Sequence, residues 1–469
     1  GTSRNPQLVS DPLPMTTLDQ LHADASAIFT QALKACDIPA AFDRHLRFEG
    51  KTLIRQSSPR LKPIAIPLDT YKKILVIAFG KAALTMTRAL LDRLPPRIAV
   101  RGICSAPEVP ARRSWRIRYY AGGHPLPNAE SFKAAREALK LLKRARKDTF
   151  VFFLISGGGS AMLELPRDRA ISLEDTIAFH ETLIASGATI TEINTVRKYF
   201  SAVKGGRLAL AAPEAEKLSL LLADVPLKDL AAVASSPTLP DRSTPQQCQE
   251  IIDRFHLLEK FPQAVREYFE RLNLDSLPPR TEPDTLEHTQ FDTLLSNHDF
   301  VNAARDHAHS LGYHVIIDNT CDDWDYREAS VYLLKRFHEL RRDFPRLCLL
   351  SSGEVTVKLE GTTGCGGRNQ HFALATAFEL EKNPADRVVV LSAGSDGIDG
   401  NSPAAGAIAD PSTITRARAY KFDPEATLAR FDSCSLFTAL GDTVVTGPTG
   451  NNLRDLRILL SLGPATEKI

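Results

Sequence analysis

The chain has 469 residues, of which 43 % are hydrophobic and 24 % are charged. That length exceeds one ordinary hydrophobic core and predicts two domains, while the composition is typical of a globular protein. The 58 basic and 56 acidic residues give a net charge of +2, form no basic stripe and exclude a nucleic-acid partner. No apolar run approaches the roughly 18 residues of a membrane helix, which argues against a membrane partner.

The cysteines and the first residues indicate a cytoplasmic protein. Seven scattered cysteines form no Cys-x-x-Cys pair, so we expect neither a disulfide framework nor a thiolate metal site. Residues 1–14, before Met15, lack the apolar core of a signal peptide. We interpret them as an expression-vector remnant and leave them out of the fold prediction.

Strand and helix patterns alternate in the first half, after a helix predicted at about 17–36. The apolar run Lys73–Phe79 predicts a strand buried on both faces, followed by Gly80, Lys81 and a helix over 82–91. Further strands are predicted over 116–121, 149–155 and 217–223, with a helix over 129–146. A long helical segment over 172–211 is expected to break at its glycines.

The second half repeats this alternation. Residues 275–290 are rich in proline and acidic residues, which predicts a surface loop or domain joint. Beyond it, strands are predicted over 291–295, 313–318, 347–351, 388–391, near 443–446 and over 456–460, with helices over 299–310 and 325–341. The pattern predicts an α/β fold with largely parallel sheets in both halves, and functional residues at the carboxyl ends of strands.

Glycine-rich loops follow several of these strands. One loop, at 364–371, contains Arg368, and two more occupy residues 392–400 and 446–452. Glycines that let the backbone approach a ligand, beside arginine, aspartate and asparagine, predict a site for anionic groups, with phosphate the leading candidate.

Two loops of the first half suit the same chemistry. Lys81, between a strand and a helix, could reach a phosphate oxygen, or could simply be an exposed lysine. Ser156, Gly157, Gly158, Gly159 and Ser160 follow the most hydrophobic strand. They could cradle a nucleotide phosphate or form a tight turn, but they match neither a P-loop nor a nucleophile elbow.

Acidic and amide residues supply the remaining candidates. Asp224 and Glu354 each end a predicted strand; they could support Mg²⁺ or accept a hydroxyl proton, or serve as an N-cap and a solvated side chain. Asp396 and Asp399 lie in a loop that could bind a cation or form a tight turn. His124 could be a base or make a structural hydrogen bond. The cations between Asn194 and Arg207 fit a solvated helix face or a bound anion.

Taken together, these segments resemble the class II glycerate kinases, glycerate 2-kinases whose C-terminal part is the MOFRL domain. Any one segment is a weak signal, but the ordered set is specific and spans nearly the whole chain. The matching stretches are 79–83, 122–125, 155–161, 194–198, 204–208, 224–226, 353–354, 366–370, 392–400 and 446–450.

The resemblance implies a Rossmann-like nucleotide-binding domain over 15–275, a smaller α/β MOFRL-type domain over 291–469, and an active site in the cleft between them. It implies transfer of the γ-phosphoryl group of ATP to the 2-hydroxyl of D-glycerate, with Mg²⁺ required. The expected partners are these small molecules, and the oligomeric state stays open, with a homodimer as one alternative.

The resemblance also implies roles for individual residues. The implied catalytic residues are Lys81, Arg368, Asp224 and Glu354, with Asp224 and Glu354 also supporting the metal. The implied nucleotide-binding residues are Ser156, Gly157, Gly158, Gly159, Ser160, Lys204, Gly205 and Gly206. The implied substrate-binding residues are His124, Asn194, Arg197, Asn369 and Asp396.

The chain departs from the family pattern after Asp224, at Ser236 where glycine is expected, and in the approach to Arg368 around Cys365. Three other functions stay open. A kinase for another small hydroxy acid is one, and a binding protein, which would lack Lys81 or Arg368, is another. The third is an NAD(P)H-dependent hydroxypyruvate reductase, which needs a Gly-x-Gly-x-x-Gly turn that is absent after the first strand.

Overall fold

The computed structural model describes residues 17–57, 61–223, 233–272, 286, 288–359, 361 and 364–463. The chain divides into two compact units. One comprises Leu33–Phe300 and Pro448–Arg454, and the other comprises the residues up to Ala32, Val301–Gly447 and Asp455 onward. The domain bounds 15–275 and 291–469, and the expected cleft, stay predictions. Asp224 and the N-terminal segment 1–14 lie outside the described residues.

The first unit contains a small antiparallel sheet and a larger parallel sheet. It begins near the end of the first helix of the described chain. This helix is α1 (Thr17–Ala35), whose residues up to Ala32 belong to the other unit. In chain order, the following elements up to the sixth strand are α2 (Ile38–His45), β1 (Leu46–Glu49), β2 (Thr52–Arg55), β3 (Ile64–Pro67), β4 (Lys73–Phe79), α3 (Ala83–Leu91), β5 (Val100–Ala106) and β6 (Ile117–Ala121). They continue with α4 (Ala129–Leu142), β7 (Thr149–Ile155), α5 (Gly159–Met162), α6 (Leu173–Ala185), α7 (Ile190–Phe200), α8 (Arg207–Leu210), β8 (Glu216–Ala223), α9 (Pro245–Arg254), α10 (Gln263–Arg271) and β9 (Thr289–Ser296).

The larger sheet has the strand order β6-β5-β4-β7-β8-β9, and every neighbouring pair is parallel. Counted from β4 this is the order 3-2-1-4-5-6 of the Rossmann fold, which confirms the predicted fold class. The central strands β4 and β7 carry apolar residues on both faces because helices cover both sides of such a sheet. The strand order reverses between β4 and β7, which is where ligands bind in this class of fold.

Two features of this unit differ from the sequence prediction, and one agrees with it. The strands β1, β2, β3 and β5 were not predicted; β5 contains glycine, cysteine, serine and alanine, which give a weak strand signal. Strand β9, predicted to open the second half, pairs with β8 and completes the first sheet. The long helical segment consists of α6, α7 and α8, separated near the glycines that the sequence marked.

The second unit is an α/β layer built on a mixed sheet. Its elements are α11 (Asn297–Ser310), which starts in the first unit, β10 (His314–Ile317), α12 (Tyr326–Leu340), β11 (Leu347–Ser352), α13 (Arg368–Glu381), β12 (Val388–Gly394), β13 (Gly406–Ala409), α14 (Thr413–Ala419), α15 (Pro424–Ala429), α16 (Ser433–Leu440), β14 (Thr443–Val444) and β15 (Asp455–Ser461). Helices α12 and α13 pack their apolar faces on the sheet, around Phe337 and Phe372.

The prediction of a largely parallel sheet is wrong for this unit. The strand order is β10-β11-β15-β12-β13-β14, and only β10 and β11 form a parallel pair among the described strands. The last strand, β15, enters between β11 and β12 and runs against both. A strand buried on both faces reads as a continuous apolar run whatever its direction, so the sequence pattern could not reveal this. No described helix has the length and apolar character needed to span a bilayer.

Candidate functional site

The loops that follow β4 and β7 are bonded to each other at the point where the strand order reverses. The Lys81 amide donates to the Gly157 carbonyl at 2.8 Å, and the Ala82 amide donates to Ser156 Oγ at 3.0 Å. Two of the predicted loops therefore form one surface at the position where a sheet of this order binds its ligand.

Two glycines make this close approach feasible. A Cβ atom on Gly80, where φ is +118°, would lie 2.3 Å from Ser156 Oγ. A Cβ on Gly158, where φ is +79°, would lie 2.9 Å from Cδ2 of His124 and 3.2 Å from Cγ of Lys81. Glycine at both positions lets the two side chains lie directly on the loop backbone.

His124 joins this surface as a neutral group. Its residue is exposed, but its ring lies against Gly158. Desolvation of the ring, and after it the Lys81 charge, lower the pKa of His124 to about 4. The imidazole is therefore uncharged at neutral pH and can accept or donate a hydrogen bond beside the Lys81 ammonium group.

Near the 156–160 loop, Glu164 is the centre of a buried hydrogen-bond network that the sequence did not predict. Its carboxylate accepts from Nζ of Lys204 at 2.5 Å, Nε2 of His180 at 2.9 Å and Oγ of Ser201 at 2.6 Å. Burial alone would raise the pKa of Glu164, but Lys204 and His180 outweigh it and lower that pKa to about 2. The network keeps a charged carboxylate inside the protein by supplying donors to both of its oxygens.

The hydrogen-bond donors of the segment from Lys204 to Gly206 bond to carbonyl groups inside the protein. Nζ of Lys204 also donates to the Ser160 carbonyl at 2.8 Å, and the side chain is almost wholly buried. The amides of Gly205 and Gly206 donate to the carbonyls of Ser235 and Ser236 at 3.2 and 2.6 Å. These bonds occupy the donors that the segment would need to bind a nucleotide directly. Lys204 instead bonds the 156–160 loop, and Gly205 and Gly206 bond the segment that contains Ser235 and Ser236.

Asn194 is linked to this loop through Ser235, and Arg197 lies beside Asn194. Ser235 Oγ donates to Asn194 Oδ1 at 2.9 Å and lies 2.8 Å from Ser160 Oγ. Nη1 of Arg197 is 3.4 Å from the same Asn194 oxygen, whereas its buried Nε has no hydrogen-bond partner among the described residues. Burial lowers the pKa of Arg197, and the Glu164 charge offsets part of that effect. An anion bound here would satisfy the unpaired donor.

Ser235 belongs to a strained segment. Ala234, Ser235 and Ser236 have φ values of 50°, 58° and 57°, in the left-handed region that side chains with a Cβ disfavour by about 1–2 kcal/mol each. The family pattern expects glycine at Ser236, and this conformation supplies the reason. Such strain persists where the surrounding contacts fix the backbone, as the bonds from Gly205 and Gly206 do here.

In the second unit, Arg368 is the first residue of α13 and contacts two carboxylates. Its Nε and Nη2 donate to Asp455 at 2.5 and 3.0 Å, and Nη2 lies 3.0 Å from Oε1 of Glu354. Burial would lower the pKa of Arg368, but Asp455 and Glu354 outweigh it and raise that pKa above its usual value. The structure thus brings Arg368 and Glu354 together, as two of the predicted catalytic residues.

The other predicted residues of this unit lie near the start of α13. Asp399 accepts from the amides of Asn369 and Gln370 at 3.0 and 2.8 Å, and burial raises its pKa to about 6. The Asn369 side chain is buried and bonds Asp399 and Ser392, so it holds the loop in place. Asp396 is half-buried, and its Oδ1 accepts from the Ile398 amide at 3.2 Å.

The described residues contain no group of three or more His, Cys, Asp or Glu side chains arranged to hold a metal ion. One Glu354 oxygen already contacts Arg368, and Asp224 is outside the described part of the chain. Mg²⁺ commonly takes one or two carboxylates and completes its shell with water and substrate phosphates. Glu354 therefore fits a magnesium site only as one ligand of an ion that arrives with phosphates.

The sequence prediction missed Glu164, Ser235 and Asp455. Glu164 has a signal, since it is a single acid in an apolar stretch, and such a residue is paired when it is buried. Asp455 follows the last glycine loop and opens β15, but no local pattern indicates that it contacts Arg368. Ser235 has no sequence signal, because its role comes from the fold of a loop.

Comparison with known proteins agrees with the resemblance. Residues 24–270 match a family model described as a domain of unknown function (DUF4147), and residues 347–455 match the MOFRL family. Glycerate 2-kinase from Pyrococcus horikoshii is 36 % identical and D-glycerate 2-kinase from Thermotoga maritima 34 % identical. The alignments cover 83 % and 84 % of this chain, and 87 % and 92 % of the relatives. A relative from Agrobacterium vitis, 35 % identical over 83 % of this chain and 87 % of its own, is provisionally named a hydroxypyruvate reductase.

Solved structures agree as well. The crystal structure of a glycerate kinase from Thermotoga maritima matches with a TM-score of 0.77 and 30 % identity, over 95 % of this chain and 100 % of the other. A crystal structure from Pyrococcus horikoshii matches with a TM-score of 0.75 and 32 % identity, over 94 % of this chain and 99 % of the other. This chain belongs to the glycerate kinase family whose members carry a DUF4147 and a MOFRL domain.

Proposed function

We propose that this protein is an ATP-dependent kinase that phosphorylates the 2-hydroxyl of D-glycerate and releases 2-phosphoglycerate. The single observation that supports this best is the joined surface of Lys81 and the 156–160 loop, at the reversal point of a 3-2-1-4-5-6 sheet. Phosphoryl transfer asks a protein mainly to position its reactants and to neutralise charge, and a cation on a glycine loop does both.

In this proposal, Lys81 binds oxygens of the transferred phosphoryl group as a point charge. The glycines of the 156–160 loop allow phosphate to approach the backbone closely. His124, uncharged beside Lys81, would hydrogen-bond substrate without adding a second charge. Lys204, Gly205 and Gly206 then act indirectly, because their bonds to Ser160, Ser235 and Ser236 hold the loop in shape.

Arg197 is the residue we propose for the carboxylate of glycerate. Its buried Nε has no partner in the described structure, and Asn194 beside it can donate or accept a hydrogen bond. Arginine suits a carboxylate because its planar donors match the two oxygens.

Arg368 and Glu354 are the catalytic residues we propose for the second unit. The guanidinium group stabilises negative charge on the reacting phosphoryl group, and Glu354, half-exposed beside it, accepts the proton of the attacking hydroxyl. Bound Mg²⁺ would supply charge neutralisation on the ATP phosphates, and Glu354 and Asp224 are the residues we propose to support it. Asp396, half-buried at the end of β12, remains a proposed substrate contact.

Two alternatives differ in what they require. A hydride-transferring reductase needs a Gly-x-Gly-x-x-Gly dinucleotide turn after β4, but the chain there has Ala82 and Thr85 where the second and third glycines would follow Gly80. A kinase for another small hydroxy acid would use the same residues and differ only in its acceptor. We also propose a cytoplasmic location, which suits the scattered cysteines.

Phosphorus NMR of the reaction mixture tests the proposed product. Protein with Mg²⁺, ATP and D-glycerate should generate the 2-phosphoglycerate resonance in step with that of ADP, and the Lys81→Ala variant should generate both at least about 100-fold more slowly. Appearance of 3-phosphoglycerate alone would contradict the regiochemistry. ADP without any phosphoglycerate would show ATP hydrolysis and contradict the acceptor.

A further inference from the structure

Two cysteines lie together beside the loop that carries Arg368. Cys365 is three residues before Arg368, and Cys434 is the second residue of α16. The amide of Cys434 donates to the carbonyl of Cys365 at 3.0 Å. All seven cysteines are described and free, and Cys365 is the one that is not buried. An oxidant in solution can therefore reach one member of this pair.

The backbone separation of the two cysteines is compatible with a disulfide. A backbone hydrogen bond keeps the α-carbons of its two residues within roughly 6–7 Å, which overlaps the span that a disulfide bridges. The Cys434 thiol also lies close enough to Cys365 to help raise the pKa of the Cys365 thiol. Closing the bond requires rotation of side chains and a small approach of the loop to α16.

Both cysteines connect to the segment that bears Arg368. The Cys365 amide donates to Asp432 Oδ1 at 3.0 Å, which fixes the loop on the start of α16. From the other side, Ser402 Oγ donates to Cys434 Sγ at 3.2 Å and accepts from Nε2 of Gln370 at 3.0 Å. Gln370 is two residues after Arg368, so a movement of either sulfur acts on a neighbour of the arginine.

We propose that Cys365 and Cys434 form a thiol–disulfide modification site, and that its oxidation by a small disulfide such as oxidised glutathione slows phosphoryl transfer reversibly. The effect on activity rests on the proposed kinase function, whereas formation of the bond does not. Displacing catalytic groups by about 1 Å can cost about 100-fold in rate. Drawing Cys365 toward α16 moves the loop that ends at Arg368.

The chemistry balances as two thiol–disulfide exchanges. The Cys365 thiolate attacks one sulfur of oxidised glutathione, which breaks the glutathione disulfide and releases one glutathione thiolate. The Cys434 thiolate then attacks the sulfur of Cys365 and releases the second glutathione. The two cysteines lose two electrons and two protons in all, and the two glutathione molecules gain them.

The surroundings of Cys365 determine how readily the first thiol–disulfide exchange occurs. Desolvation, the neighbouring Cys434 thiol and the nearby charges of Asp432 and Asp399 raise the pKa of Cys365 to about 11. The thiolate is the attacking species, so exchange should be slow at neutral pH and should speed up as pH rises.

The test treats the full chain with oxidised glutathione at about pH 8.5, where more thiolate forms, and then quenches it with acid. Peptide mapping without reduction should find Cys365 linked to Cys434. Formation of ADP from ATP and D-glycerate should fall about 10- to 100-fold and return after dithiothreitol. The Cys365→Ser and Cys434→Ser variants should keep their basal activity and resist the oxidant, and the Cys248→Ser control should lose activity as the wild type does.

Each other outcome overturns part of the proposal. A glutathione adduct on Cys365 without the Cys365–Cys434 linkage, or no modification of either residue, overturns the modification site. If the Cys365–Cys434 disulfide forms and activity does not change, the proposed effect of the disulfide on Arg368 is wrong. If the protein has no kinase activity under any condition, the proposed function fails, while the peptide map still decides whether the disulfide forms.

Discussion

Asp455 holds Arg368 with both of its carboxylate oxygens, at 2.5 Å from Nε and 3.0 Å from Nη2. Asp455 opens strand β15, and Arg368 opens helix α13. The Asp455 carboxylate is nearly buried, whereas the Arg368 side chain is 37 % accessible. The pair therefore fixes the direction of the arginine and leaves part of it free to meet a ligand.

The Asp455→Asn variant should lower kcat/KM for D-glycerate by up to about 100-fold, since misplacing a catalytic group by about 1 Å can cost this much. The asparagine side chain keeps one acceptor oxygen for Arg368, but it lacks the negative charge and the second acceptor oxygen of the carboxylate. Steady-state kinetics and a melting curve measure the two effects. Asp442→Asn is the matched control, because it breaks a similar pair with Arg416 in the same unit. Equal losses of activity in the two variants would contradict a positioning role.

Lys81→Ala and Arg368→Ala should each lower kcat/KM by about 10² to 10³, the usual cost of removing one group that stabilises developing charge. Arg368→Lys should recover little, because lysine cannot bind Asp455 at two points. The melting temperature should change little in the Lys81 variant. Lys72→Ala, at an exposed lysine that pairs with Asp148, is the control and should keep full activity. Near-normal kinetics in either alanine variant would remove that residue from the site.

Glu164 should make stability depend on acid pH. Its pKa is lowered from 4.5 to about 2 in the folded protein. The stabilisation is therefore fully present above the unfolded value of 4.5 and is lost as pH falls through the folded value near 2. Glu164→Gln leaves the buried Lys204 without a counter-charge, which should cost about 3–5 kcal/mol at neutral pH.

Urea unfolding of wild type and Glu164→Gln, followed from about pH 7 down to pH 2, measures this difference. The gap in the free energy of unfolding should shrink as pH falls from about 4.5 to about 2, because in this range the wild-type carboxylate is protonated in the unfolded state but still charged in the folded state. A gap that stays constant across that range would show that the Glu164 charge contributes nothing to folding.

Ser236→Gly should stabilise the protein relative to Ser236→Ala. Both variants lose the bond from Ser236 Oγ to the Leu239 carbonyl, but only glycine relieves the φ of 57°. The relief is worth about 1–2 kcal/mol, from which the greater flexibility of glycine in the unfolded chain subtracts about 0.5–1 kcal/mol. Melting curves of the two variants test this. An alanine variant as stable as the glycine variant would mean that the segment carries no strain.

Much of the fold could be predicted because its signals are local. The runs at β4 and β7 and the glycines after them mark the central strands and their carboxyl ends, and the structure matches these strands residue for residue. Strand β5 could not be predicted this way, since its small residues suit close packing beside β4 and lack an apolar pattern. The antiparallel position of β15 between β11 and β12 depends on pairing with strands distant in sequence, which a local sequence pattern does not predict.

The site divides in the same way. Lys81 and Arg368 stand in glycine loops and are visible from the sequence, whereas their partners come from other parts of the chain. Asp455 reaches Arg368 across 87 positions, and Glu164 reaches Lys204 across 40. The same reason explains Lys204: its residue type suggests a phosphate contact, but the fold places a carboxylate beside it. The residue type indicates which groups a side chain can bind, whereas the fold determines which groups lie next to it.

The most direct test of the central claim is a comparison of two activities in one preparation of the protein. ADP formation is measured with ATP, Mg²⁺ and D-glycerate, L-glycerate or hydroxypyruvate, and NAD(P)H oxidation is measured with hydroxypyruvate in the absence of ATP. A glycerate kinase should form ADP rapidly with D-glycerate, slowly or not at all with the other two acceptors, and should oxidise no NAD(P)H. Oxidation of NAD(P)H by hydroxypyruvate with no ADP formed from D-glycerate would contradict the assignment.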